Sequence, residues 1–154
     1  MDSRIAIIAG AGRFPFHVAQ EAKRQGFTVV ALGVKAWVDP ALSSSVDVFE
    51  EVAVGQLRHF MDRLKSHGIQ QAIMAGKVTK EVLLNPKTMF DLEALKVLQG
   101  VREMSVPALL GAIGHRLAEE GITLLDSSTF LKESVCPAGV LTARAPTTDE
   151  ASDI

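Results

Sequence analysis

The stretch that most constrains this chain is its start, Arg4-Ile-Ala-Ile-Ile-Ala-Gly-Ala-Gly-Arg-Phe-Pro15. Ile5 to Ala9 is a short apolar run, too short for a helix and suited to a strand buried on both faces. Gly10 and Gly12 follow, and Pro15 stands where the first turn of a helix should begin, a place where its missing N–H costs nothing. A buried strand, a glycine turn and a helix N-terminus in that order make an anion site: backbone N–H groups approach closely and the helix end is partly positive. The sequence therefore predicts that Gly10, Gly12, Arg13 and Phe14 hold the phosphate-bearing part of a ligand.

The rest of the chain repeats the strand-then-helix pattern. Pro15, Val18, Ala19 and Ala22 form one face of a helix over 14–25 that Gly26 ends. A second strand over 27–32, a third within 46–54 interrupted by Glu50 and Glu51, and a fourth over 71–75 follow. Leu57, Phe60, Met61 and Leu64 mark a helix over 56–67. Leu109, Leu110, Ile113 and Leu117 mark another over 106–120, after a shorter helical stretch near 90–101 that follows the breaker Asn85-Pro86. A fifth strand covers 122–125, and Asp126-Ser-Ser-Thr129 offers N-caps for a short helix running to Cys136-Pro137. Strands alternating with helices predict an α/β fold, a Rossmann-like three-layer sandwich with a five-stranded parallel sheet in the order 3-2-1-4-5. In that order the sheet reverses between its first and fourth strands, where ligands sit at the carboxyl ends. Gly76, Lys77 and Val78 after the fourth strand should then meet the first glycine turn across one crevice.

Several function classes are set aside by what the chain lacks. No apolar run reaches the roughly 18 residues of a membrane span, and no signal peptide is legible. The single cysteine, Cys136, gives no internal disulfide and reads as structural. A net charge of −2 without a basic block argues against nucleic acid. The expected setting is cytoplasmic. Pro15 occupies the third glycine position of the dinucleotide fingerprint, and Lys35 rather than an acid follows the second strand, so NAD is poorly supported. A nucleotide- or NADP-binding module using Lys35 stays open, as does a non-catalytic binding or assembly domain. Arg13 could grip a phosphate bidentately and Lys77 would act as a point charge. Gln56, Asp126, Ser127 and Ser128 stand at the same sheet edge, where helix-start turns account for them. His17, His59, His67 and His115 show no metal-site spacing, so no metal is assigned to this chain.

Ile-Ala-Gly-Ala-Gly-Arg-Phe-Pro15, Val-Gly-Gln-Leu57, Ala-Gly-Lys-Val78 and Gly-Val-Leu-Thr142 together resemble the amino-terminal half of the LpxI family along nearly the whole chain. The resemblance implies the UDP-2,3-diacylglucosamine pyrophosphatase of lipid A biosynthesis, which releases UMP and lipid X with a divalent cation such as Mg²⁺. It places the metal-binding acids and catalytic groups in a carboxy-terminal domain and the lipid between the two domains. It thereby implies a UDP-sugar lipid as partner and leaves open peripheral contact with the inner membrane and a homodimer. Residues 1–139 then form the amino-terminal domain, and the polar stretch 140–154 a linker toward a catalytic domain this chain lacks. Ahead of Leu109 the family carries a Gly-Asp-Asp type stretch where this chain reads Glu103-Met-Ser-Val106. Phe14, Phe16, Trp37, Met89 and Phe90 are candidates for an apolar rim suited to acyl chains.

Overall fold

The computed structural model describes residues 3–79, 81, 87–102, 105–134, 136, 139–140 and 143–152. Five parallel strands form one sheet in the order β3-β2-β1-β4-β5, the predicted order. They are β1 (Arg4–Ala9), β2 (Thr28–Val34), β3 (Val48–Val52), β4 (Gln71–Ala75) and β5 (Thr123–Leu125). The helices are α1 (Phe14–Arg24), α2 (Leu57–Ser66), α3 (Leu92–Gly100), α4 (Val106–Glu119) and the short α5 (Thr148–Ser152). Residues 85–86, 103–104, 137 and 141–142, on which parts of the sequence reading fall, lie outside the described residues.

Alternation along the strands sorts the core into two layers. Ile5, Ile7 and Ala9 of β1 face the side covered by Val18, Ala19 and Ala22 of α1. Ala6, joined by Val30 and Leu32 of β2, faces the side covered by Leu57, Phe60, Met61 and Leu64 of α2 and by Ala94 and Leu117 of α3 and α4. The central strand thus reads apolar throughout because both its faces are covered. Register is set by pairs such as Ile7↔Ala31 with β2 and Ile7↔Ile73 with β4.

Three elements differ from the sequence reading. β2 runs on through Gly33 to Val34, because a glycine there lets Val38 close against the strand; a Cβ on Gly33 would stand 2.6 Å from the Val38 side chain. Glu50 and Glu51 lie inside β3 rather than breaking it. Glu50 accepts hydrogen bonds from Arg63 of α2 (Nε, 2.6 Å) and contacts His67 Nε2 at 2.8 Å. After β5 the expected helix is replaced by turns and one 3-10 turn, Lys132–Ser134. Asp126 accepts from the Ser128 amide at 2.8 Å and from its hydroxyl, and such local bonds compete with helix formation. These turns fold Phe130 back under α1, where its ring meets Phe27 edge-on at 5.0 Å. Cys136 is exposed, so it does not pack as a structural core residue. In the polar tail, α5 buries none of its residues.

Candidate functional site

The two glycine turns meet at the carboxyl edge of the sheet, where β1 and β4 are neighbours. The Gly10 amide donates to the Ala75 carbonyl at 2.8 Å, and Ala11 and Lys77 exchange both backbone bonds at 2.9 Å. The contact is close enough to require glycine. A Cβ on Gly10 would lie 2.5 Å from the Lys77 carbonyl oxygen, and one on Gly76 would lie 2.7 Å from that of Ala11. Gly10 and Gly76 therefore hold the loops to each other, and the amides of Gly10, Ala11 and Lys77 are already engaged.

The amides left over belong to the next residues. Gly12, at φ +99° with open space around it, leads into the first turn of α1. Arg13 holds the N-cap position without a side-chain cap, and Gly12, Arg13 and Phe14 donate no backbone hydrogen bond to any described residue. The Arg13 guanidinium lies 4.9 Å from the centre of the Phe16 ring, stacked back along α1.

On the other face of the same edge lies a cavity of about 380 Å³. That volume is within the range of small-molecule sites. Its walls are almost wholly apolar, with Ile8, Met74, Leu57, Phe60, Leu109 and Ile113 among them. Gly76, Lys77 and Val78 form part of its rim. Gly10, Gly12, Arg13 and Phe14 do not line it. The proposed apolar rim divides in the same way: Trp37 and Phe90 line the cavity, whereas Phe16 packs on the α1-side core and Phe14 is exposed.

Local structure explains the cavity. Residues 88–91 form a strap across the turn that follows β3, pinned by the Asp91 amide on the Gly55 carbonyl at 2.9 Å. Gly55, at φ +90°, is again required, since a Cβ would stand 2.5 Å from the Met89 carbonyl oxygen. The Asp91 carboxylate caps two helices together, accepting from Ala94 of α3 at 2.8 Å and from Arg58 of α2 at 2.7 Å. Arg116 of α4 pairs with Glu93, in the first turn of α3, at 3.1 Å and with Glu120 at 2.6 Å, and Glu120 also meets Lys65 in the last turn of α2. These contacts tie α2, α3 and α4 to one another around the space between them.

Sequence reasoning missed Asp91 and the strap. The signal for the cavity was the apolar stripe of α4, in which Leu109 and Leu117 are buried while Leu110 and Ile113 are only half-buried. Gln56 lines the cavity as well as preceding α2. Asp126 is occupied by its bonds to Ser128, which hold its carboxyl below the usual range. Among the described residues no three His, Cys, Asp or Glu side chains gather closely enough to hold a metal ion. The resemblance places the divalent cation in a carboxy-terminal domain, and the described residues offer no cluster that would hold one. Among the described residues no helix is long and apolar enough to cross a membrane.

A family model described as the LpxI N-terminal domain matches residues 4–134. No curated protein matches. Among solved structures, the UDP-glucose-4-epimerase of Stenotrophomonas maltophila, with bound NAD and formylated UDP-arabinopyranose, is similar at 17% identity and a TM-score of 0.50, over 80% of this chain and 36% of that one. The K. lactis urea amidolyase is similar at 14% identity and a TM-score of 0.48, over 86% of this chain and 7% of that one. The chain thus spans well under two thirds of either protein, and the epimerase likeness shows the fold alone.

Proposed function

This chain belongs to the LpxI family as its amino-terminal domain, and on that premise we propose that it positions UDP-2,3-diacylglucosamine for hydrolysis in lipid A biosynthesis. The observation that carries the reading is the family match over residues 4–134. The geometry supports it, because an edge with open amides and a lysine borders an apolar cavity, as a ligand with both a diphosphate and acyl chains requires.

Hydrolysis adds one water across the diphosphate bridge, breaking a P–O bond and releasing UMP and lipid X. Negative charge must be held in place throughout. Lys77 supplies a point charge and the amides of Gly12, Arg13 and Phe14 supply donors at a helix N-terminus. The acyl part lies among Leu57, Phe60, Leu109 and Ile113, and this fixes the reacting bond relative to groups outside the chain. The catalytic groups and the Mg²⁺-type cation belong to a carboxy-terminal domain, and the protein works on the cytoplasmic side.

Thermal unfolding of the purified 154-residue chain tests this. UDP-2,3-diacylglucosamine at about 100-fold excess over Kd should raise Tm by roughly 5 °C or more. Lys77→Ala should shrink that shift, and NADH or NADPH should produce none. Stabilisation by a nicotinamide cofactor without any by the lipid would contradict the proposal. The chain alone, given Mg²⁺, should release negligible UMP.

A further inference from the structure

The apolar cavity has an open end and a closed one, and the register of the sheet locates both. Ile8 and Met74, paired across β1 and β4, line it. Ala6 and Ala72, the next pair toward the amino edge on the same face, do not line it and are fully buried. The helices close it at the same level. Phe60 of α2 lines the cavity, whereas Leu64, one turn later, is fully buried. Ile113 of α4 lines it, whereas Leu117, one turn later, is fully buried. Both helices lead through a glycine turn, at Gly68 and Gly121, into the amino end of the next strand. Later in either helix therefore means deeper below the carboxyl edge.

At the open end the chemistry changes. Gln56, Lys77 and Thr79, with the Trp37 indole, supply the polar side-chain groups among the described residues of the lining, and all four follow the carboxyl ends of strands. A guest with one polar end is thereby oriented, head at the rim and tail toward Phe60 and Ile113. A polar group at the far end of the tail would be buried without a partner, which is costly. Along α4 the lining runs from Val106 to Ile113, about 10 Å at a rise of about 1.5 Å per residue. Burying a methylene there is worth about fourfold in affinity, but only while space remains to be filled.

We propose that the cavity measures the length of an unbranched acyl chain, with Phe60 and Ile113 as the stop that decides which length fits. The proposal rests on the acyl-binding reading of the cavity and adds the residues that set its specificity. Beneath the stop, Leu64 and Leu117 pack with Ala6 and Ala72 in one core layer. A core packed to that density does not admit a further methylene without strain.

Trp37, the one tryptophan of the chain, lines the cavity and serves as the probe. Its fluorescence in the 154-residue chain is titrated with saturated straight-chain carboxylates from hexanoate to tetradecanoate, each below its critical micelle concentration. Affinity should rise about fourfold per methylene and then level off at one chain length. Ile113→Ala should move that break to a longer chain and Ile113→Phe to a shorter one. Val106→Ala, at the open end, should weaken every chain by a similar factor and leave the break in place. Phe60→Leu, which should also move the break to a longer chain, replaces any Ile113 variant that melts well below the native protein. Affinity that keeps rising to the longest chain would overturn the stop. So would a break that stays in place in the folded Ile113 and Phe60 variants, or one that moves as far in Val106→Ala. Failure of every carboxylate to bind would remove the acyl-binding reading itself, whereas binding without a break leaves that reading standing and removes only the stop.

Discussion

A methyl group added at Gly10 would put its carbon 2.5 Å from the Lys77 carbonyl oxygen, which is backbone and has no rotamer to yield. Gly10→Ala should therefore cost about 1–3 kcal/mol in urea unfolding, as overpacking does. Gly111, mid-helix in α4, is the control, since a methyl added there would meet nothing within 4 Å. Gly111→Ala should stabilise by about 0.5–1 kcal/mol. Reversal of the two signs would show that the turns are not packed as described. Glu50 supplies a pH test. Hydrogen bonds from Arg63, with His67 assisting, lower its carboxyl to about 2 from 4.5. A carboxyl depressed in the folded state stabilises above its unfolded value, and that contribution is lost as pH falls through its folded value. Native protein should lose stability between about pH 4.5 and 2 more steeply than Glu50→Gln, measured by thermal melts across that window.

At the scale of elements, Asp91 joins α2 and α3 by capping both, so its removal uncaps two helices at once. Asp91→Ala should destabilise by about 1–3 kcal/mol, twice the usual cap, and Asp91→Asn should recover about half of it, because its single amide oxygen can accept from only one of the two N–H groups. Full recovery in Asp91→Asn would mean that only one of the two caps contributes. The sequence made some elements legible and hid others for physical reasons. β4 was readable to the residue because Gln71 to Ala75 is bounded by the turn that stops α2 and by Gly76. The stretch after β5 was not, because the Asp126 carboxylate accepts from both the backbone amide and the hydroxyl of Ser128 and diverts the chain from a helix. Asp91 gave no sign of its second role: its partner at Arg58 lies 33 residues earlier in the chain.

For the whole molecule, the meeting of the two glycine turns followed from strand order alone, since β1 and β4 can be neighbours only where the sheet reverses. The apolar cavity did not follow, because it exists only once the strap crosses Gly55 and three helices are braced around it. Glycine at positions 10 and 76 was readable as a tight turn, but spacing could not tell that the turns press on each other and leave the amides at 12–14 open. The same division separates Phe14 and Phe16 from Trp37 and Phe90: all four are apolar in the sequence, and only the fold sends them to opposite faces. Amide chemical-shift mapping of the 154-residue chain titrated with UDP-2,3-diacylglucosamine tests the account most directly. Perturbations should concentrate at Gly12 to Phe14, at Gly76 to Val78 and around Leu57 and Phe60. Perturbations confined to the opposite sheet edge, at the turns of Gly26, Gly68 and Gly121, would contradict it.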